Sequence, residues 1–345
     1  MRRAHFVLLT IVFSVIVSAA PQPHAQWTAT WTASVHGPYP SGNPVAQPDL
    51  SFALQNGAAR DQTFRLVVRP DVWGTRFRIR LANTFGERAV TFDGVFVGVQ
   101  ASGAAIVKGT NRPVRFGRQA ATTIAAGQSL FSDPIDLPAL GSARAAEGRK
   151  LVVSFHVAGP APSMTWHAKA LQTSYISAPG SGSHGVEETD AAFPSSTTSW
   201  YFLDAIDVMR PDTTVVCAFG DSITDGTAST LNGDDRWPDV LSRRLHAAYG
   251  DRVAVVNAGI GGNRVLSPAT YPPPQPFAGG PSALQRLDRD VLSVSGLGAV
   301  VILEGINDIS NGDSADAIIA GLRQLVERSE EHTSELQSRF GISYA

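Results

Sequence analysis

Two patterns of apolar and polar residues divide the chain. From Trp27 to about Ala205 the apolar positions tend to alternate. In TRFRIRLAN, Phe77, Ile79 and Leu81 alternate with Arg76, Arg78 and Arg80, the period of a strand with one face buried. TFRLVV (63–68), VTFDGVFVGV (90–99) and KLVVSFHVA (150–158) are further strand-like runs, punctuated by Gly, Pro, Asn and Asp. Many short strands with frequent turn signals predict an all-β, jelly-roll-like sandwich over residues 27–205. The polar, Gly- and Ser-rich stretch 178–199 reads as a long loop within it.

After Met209 the pattern becomes strand, loop, helix, repeated. TTVVCAF (213–219) is continuously apolar, as a strand covered on both faces must be. A helix follows, with Trp237, Val240, Leu241, Leu245 and Ala248 at helical spacing and His246 off that face, where it is expected to be solvated. Next come strand VAVVNAG (253–259), helix SALQRLDRDVL (282–292) and strand AVVILEG (299–305). A last helix over 314–327 places Ile318, Ile319, Leu322, Leu325 and Val326 on one side. This alternation predicts an α/β domain with a parallel sheet and right-handed crossovers over residues 210–327. Ligands of such sheets bind beyond the carboxyl ends of the strands.

The N-terminus carries Arg2 and Arg3, then an apolar run from Phe6 to Val17 and a small-residue site at Val17–Ala19, with a second possible cut after Ala25. The run is too short to span a membrane, so residues 1–25 read as a secretion signal and the protein as secreted or periplasmic, with no membrane span once the signal is removed. The 345 residues carry a net charge of −2, which gives no electrostatic case for nucleic acid. A single cysteine, Cys217, excludes an intramolecular disulfide and reads as a buried small hydrophobe. No His/Cys cluster has metal-ligand spacing.

Three loops at strand ends hold the candidate chemistry. GDSIT places Ser222 just after the first strand, where a hydroxyl can face the crevice. By itself Ser222 could equally be a helix cap. The G-x-S-x-G elbow of α/β-hydrolases is excluded by Thr224 at its fifth position. In NAGIGGN the dinucleotide fingerprint fails because Arg264 stands where its third glycine belongs. In GIND, Asn307 can donate an amide hydrogen to an oxyanion.

Taken in order, GDSIT, the glycine pair of NAGIGGN and GIND resemble the blocks of the SGNH, or GDSL-type, hydrolases. The resemblance covers roughly 213–327 and implies a flavodoxin-like parallel sheet and ester hydrolysis through an acyl-enzyme, without metal or organic cofactor. It implies Ser222 as nucleophile, with Gly262, Asn307 and the Ser222 N–H as oxyanion donors. Asp221 is a motif residue rather than the triad acid. The implied substrate is a small ester or a polysaccharide ester such as a carbohydrate O-acetyl group. Trp27, Trp31, Trp166 and Trp200 could stack on sugar rings or pack in the core. The alternative is a non-catalytic carbohydrate- or surface-binding protein with a degenerate hydrolase domain.

That family takes its general base from an Asp-x-x-His motif, and none of the eight histidines has an aspartate three positions before it. The segment RSEEHTSELQS (328–338) corresponds to the translation of a common short-read sequencing adapter. The sequence therefore predicts that 328–345 is an artefact that interrupts the last helix, that His332 has no evolved role, and that the catalytic Asp and His are missing. The sheet is expected to be incomplete, with three strands where the family has about five.

Overall fold

A computed structural model describes residues 27–44, 47–137, 148–271 and 278–339, with the side chains of 333–339 excepted. The expected secretion signal lies outside the described residues. No helix among those residues is long and apolar enough to cross a membrane.

The main strands of the first part are β1 (Trp27–Thr32), β2 (Gln62–Val68), β3 (Arg76–Ala82), β4 (Val90–Ser102), β5 (Leu151–Val157) and β6 (Leu203–Met209). They form two antiparallel sheets. One runs β1–β6–β3 and continues into the short strand Ser129–Phe131. The other is built on β2–β5–β4, with short strands on both flanks. The alternation in β3 explains its place: Phe77, Ile79 and Leu81 are fully buried. Across the same strand pair, Arg78 meets Asp207 at 2.6 Å and Arg80 meets Asp204 at 2.7 Å. Cross-strand ion pairs of this kind reinforce register as well as the hydrogen-bond ladder does. The expected boundary near residue 205 falls inside β6, which pairs with both β1 and β3 as far as Met209 and Val208.

The polar stretch 178–199 is irregular apart from a short strand, Ser195–Thr197. Arg65, buried in the second sheet, holds it in place. Its guanidinium donates to the carbonyls of His184, Glu187 and Thr189 at 2.6–3.1 Å and stacks 4.0 Å over the Phe193 ring. Without a buried cation to answer them, those carbonyls would lose their partners.

The second part holds β7 (Thr214–Gly220), β8 (Val253–Gly259) and β9 (Leu297–Leu303), parallel and in the order β8–β7–β9. Its helices are α1 (Ser222–Asp225), α2 (Trp237–Tyr249), α3 (Ala283–Leu287), α4 (Ile306–Asn311) and α5 (Ala315–Arg339). The expected helix over 282–292 is divided: α3 passes into a π-helical turn at Asp288–Leu292. The expected end of the last helix at 327 is also corrected. Helix α5 continues through the adapter-like segment to Arg339, and Arg328 donates to Leu284 O at 2.7 Å and to Asp288 at 2.8 Å. Glu, Gln, Ser and Arg in that stretch permit helix, so the local sequence does not stop it.

The two parts share one continuous apolar cluster, which runs from Trp31, Leu66 and Ile206 to Val215, Phe219 and Leu325. Strand β1 lies against the parallel sheet, with Thr32 Oγ1 donating to Asn257 O at 2.9 Å and Ala29 N to Ser295 O at 2.8 Å. Helix α2 docks with a polar face. Val240 is 40% exposed, whereas Ser242 is buried and donates to Asp71. His246 is half-buried beside that carboxylate, its Nε2 3.2 Å from Asp71 Oδ2, an ion pair without good hydrogen-bond alignment. The expectation that His246 is solvated is therefore corrected: a β-domain aspartate sits where solvent was assumed.

Asp71 raises the His246 pKa above its ordinary value of 6.5. A raised imidazole pKa adds stability that is complete below about pH 6.5 and lost as pH climbs through the folded value. Urea denaturation from pH 5.5 to 8.5 should show that loss, and His246→Gln should flatten it; an unchanged profile would remove His246 from the account.

Trp31, Trp166 and Trp200 are all less than 10% exposed, and Trp27 lies under the Arg78 guanidinium, 4.7 Å from its centre. Of the two readings of the tryptophans, packing in the core holds for Trp31, Trp166 and Trp200, while Trp27 is partly buried. Cys217 is buried, and desolvation pushes its thiol up to about 12.

Candidate active site

The parallel register puts Gly220 opposite Gly259 on one side and Leu303 on the other. The three loops that leave these strands therefore emerge side by side. They are also bonded to one another: Ile260 N donates to Gly220 O at 3.0 Å and Asp221 N to Leu303 O at 3.3 Å. Asn307 Nδ2 donates to Asn263 O at 2.8 Å. Asp308, fully buried, accepts from the N–H groups of Val265 and Leu266 at 2.9 and 3.0 Å. The second loop is in this way strapped to the third.

Ser222 opens α1. Asp221 caps that turn by accepting from Ile223 N at 2.9 Å, the usual way an aspartate satisfies an orphan N–H. Ser222 is partly exposed, and among the described residues nothing hydrogen-bonds its hydroxyl. Gly220 and Gly259 have no room for a side chain: a Cβ would lie 2.1 Å from Thr224 Oγ1 in the first and 2.3 Å from Asp225 N in the second. These glycines let α1 sit directly on the strand ends.

Gly262 has φ +83° in a turn closed by Asn263 N to Ile260 O at 3.1 Å. That left-handed conformation is what glycine supplies there. Its N–H has no partner among the described residues. Asn307 spends one amide hydrogen on Asn263 O and, having two, keeps the other. The structure thus brings the loops of Ser222, Gly262 and Asn307 to one end of the sheet and leaves a donor or hydroxyl unspent on each.

Beneath the loops lies a residue that sequence reasoning missed. Arg286 has no side-chain exposure and packs 4.1 Å over Phe219. Its guanidinium donates to Gly220 O at 2.9 Å, Ala258 O at 2.7 Å, Asn263 Oδ1 at 2.8 Å and Glu304 Oε1 at 3.1 Å. One side chain thereby ties the ends of all three strands and the second loop. The signal was available: Arg286 and Asp290 are four apart on the face that carries Ala283, Leu287 and Val291. A charged pair on an apolar helix face demands a buried partner.

The buried charges divide their protons accordingly. Desolvation pushes Glu304 up to about 8 despite Arg286, with Asp221 and Asp308 adding to the rise. Asp290 is held below its ordinary value by Arg289 and Arg286, which overcome its burial. Asp221 is raised, by burial first. At neutral pH Glu304 is therefore protonated and Asp290 carries the charge that answers Arg286.

Of the histidines, none hydrogen-bonds Ser222 among the described residues. His36 is buried, and desolvation followed by the neighbouring His167 pushes it down to about 3. Among the described residues no group of three or more His, Cys, Asp or Glu side chains could hold a metal ion.

Residues 218–337 match the GDSL-like lipase/acylhydrolase family. No curated protein matches the chain. Among solved structures the chain is similar to AlinE4, an SGNH-hydrolase family esterase, with 23% identity over 34% of this chain and 54% of that one and a TM-score of 0.28. It is also similar to a family two carbohydrate esterase from Clostridium thermocellum, in complex with cellohexaose, with 13% identity over 80% and 69% and a TM-score of 0.27. A family two carbohydrate esterase from Cellvibrio japonicus is similar at 11% identity over 93% and 76%, with a TM-score of 0.26. The chain spans about half the length of AlinE4, 54%. These structural likenesses are slight and assign no residue here. The match over 218–337 includes the GDSIT, NAGIGGN and GIND loops, so this segment of the chain is similar to the GDSL-like lipase/acylhydrolase family.

Proposed function

We propose that this protein is a carboxylic ester hydrolase in which Ser222 is the nucleophile. The observation that carries the reading is the convergence of three bonded loops that leave the Ser222 hydroxyl, the Gly262 N–H and one Asn307 amide hydrogen uncommitted. Attack of Ser222 Oγ on an ester carbonyl gives a tetrahedral oxyanion, which the N–H groups of Ser222 and Gly262 and the Asn307 amide would stabilise. The proton that Ser222 gives up passes, by way of a general base, to the departing alcohol, and water, deprotonated in the same way, releases the acid from the acyl-enzyme. Preorganised donors of this kind supply a large share of the rate in acyl transfer.

The finer reading is an exported enzyme acting on short acyl esters or on O-acetyl groups of polysaccharides, its three described parallel strands being part of a flavodoxin-like sheet. The β region would then stand beside the substrate path rather than stack on sugars with its tryptophans. No metal is used in this mechanism, so with imidazole supplied as the base EDTA should leave the Ser222-dependent rate unchanged.

Asn307→Ala tests the oxyanion assignment. With imidazole supplied as the base, it should lower kcat by roughly 10²–10³, the cost of one lost donor, with KM little altered. A change confined to KM would make Asn307 a substrate-binding residue instead. Ser222→Ala separates catalysis from the alternative of a non-catalytic carbohydrate-binding protein: a binder retains its ligand and an esterase loses the turnover that added imidazole supports.

A further inference from the structure

The β region reaches into the site through a buried polar relay. His167 Nδ1 donates to Ser34 O at 2.8 Å, and its Nε2 lies 3.1 Å from Asp225 Oδ1, with both side chains about 5% exposed or less. Both ring nitrogens therefore face oxygen atoms. The other oxygen of Asp225 accepts from Gly261 N at 2.6 Å, a short bond of the charge-assisted kind. Two residues along from His167, Lys169 is buried and donates to Thr227 Oγ1 at 2.7 Å. Its amine packs on Gly261 so closely that a Cβ there would lie 2.6 Å from Nζ. His36, neutral and 6.5 Å from His167 between ring centres, closes the far side.

We propose that His167 and Lys169 are positioning residues for the oxyanion loop, acting through Asp225 and Gly261. The physical argument is one of degrees of freedom. Gly261 and Gly262 are two successive glycines, the most permissive backbone available, and Gly262 occupies a left-handed conformation. A donor on so flexible a loop serves an oxyanion only if the preceding peptide is fixed. Asp225 fixes it, and Asp225 is itself contacted by His167 from the other part of the molecule. On this account the β region completes the catalytic geometry. The inference rests on the reading of Gly262 as an oxyanion donor.

Two conservative substitutions test it, because they divide the imidazole's two contacts between them. His167→Gln places an amide N–H near the position of Nε2 and keeps a donor for Asp225; His167→Asn keeps the donor to Ser34 O and loses Asp225. In glycine-labelled protein, the Gly261 and Gly262 amide resonances should move in His167→Asn and stay near wild type in His167→Gln. A role in packing alone would treat the two alike, and unmoved resonances in folded His167→Asn protein would overturn the proposal. Asp225→Asn serves if neither variant folds: it removes the charge on the short bond, so the Gly261 amide proton must shift upfield, and a fixed resonance overturns the proposal. The functional counterpart is the Ser222-dependent esterase rate with imidazole added as base, expected to fall roughly tenfold or more in His167→Asn. If wild type shows no such rate, the esterase reading fails while the amide shifts still decide the coupling.

Discussion

Arg286→Ala is expected to destabilise the protein by about 3–5 kcal/mol, the range for removing one partner of a buried ion pair. The guanidinium has no exposed surface, so the groups it serves have no bulk solvent beside them. Its loss leaves Gly220 O and Ala258 O without the bonds they receive at 2.9 and 2.7 Å. It also leaves Asp290, held ionised by Arg286 and Arg289, with one cation fewer. Glu304 already has one carboxyl oxygen without a partner, and removal of Arg286 takes the contact of the other. Arg286→Lys should recover part of the loss, because an ammonium restores charge but cannot make the planar fork of bonds. Equilibrium urea denaturation measures both. A loss below about 1 kcal/mol for the alanine variant, the value of an exposed pair, would show that the strand ends hold themselves.

The second large effect concerns turnover. The 345-residue chain should show no Ser222-dependent hydrolysis of p-nitrophenyl acetate in simple buffer. A serine hydroxyl is a weak nucleophile until a base takes its proton. No Asp-x-x-His occurs in the sequence, and no histidine among the described residues hydrogen-bonds Ser222. Where a triad member is removed, the oxyanion hole and binding leave a residual rate of about 10³–10⁴ over water. Added imidazole can enter the partly exposed site as a diffusible base. The expected result is a rate that rises with imidazole in the wild-type chain and does not rise above the imidazole background in Ser222→Ala. A full rate without imidazole, abolished by His332→Ala, would instead make His332 the base and contradict the artefact reading of its segment.

The site was legible where local rules suffice. GDSIT, NAGIGGN and GIND each follow an apolar strand, and the carboxyl-end rule for parallel sheets places them together without coordinates. The burial of Cys217 and the alternation of β3 were equally readable, because periodicity reports which face is covered. The face of α2 was not. Its apolar residues suggested Val240 as a contact, yet Ser242 and His246 turn inward because Asp71 waits for them. The end of α5 was missed for a related reason: the resemblance of the segment to a translated adapter says nothing of its helical permissiveness, which governed its conformation.

The sequence by itself determined the division into a β-rich and an α/β part and the places of the loops that carry Ser222, Gly262 and Asn307 between strands and helices, since these follow from periods of two and of 3.6 and from turn residues. The tertiary structure decided what those periods cannot encode. It set Arg286 under three strand ends, laid β1 against the parallel sheet, and joined His167 to Gly261 through Asp225. Each of these contacts links residues distant along the chain and pairs buried charges. Periodicity says that a position is covered; only the fold says by what, and a buried charge is tolerated only where its partner is brought to it.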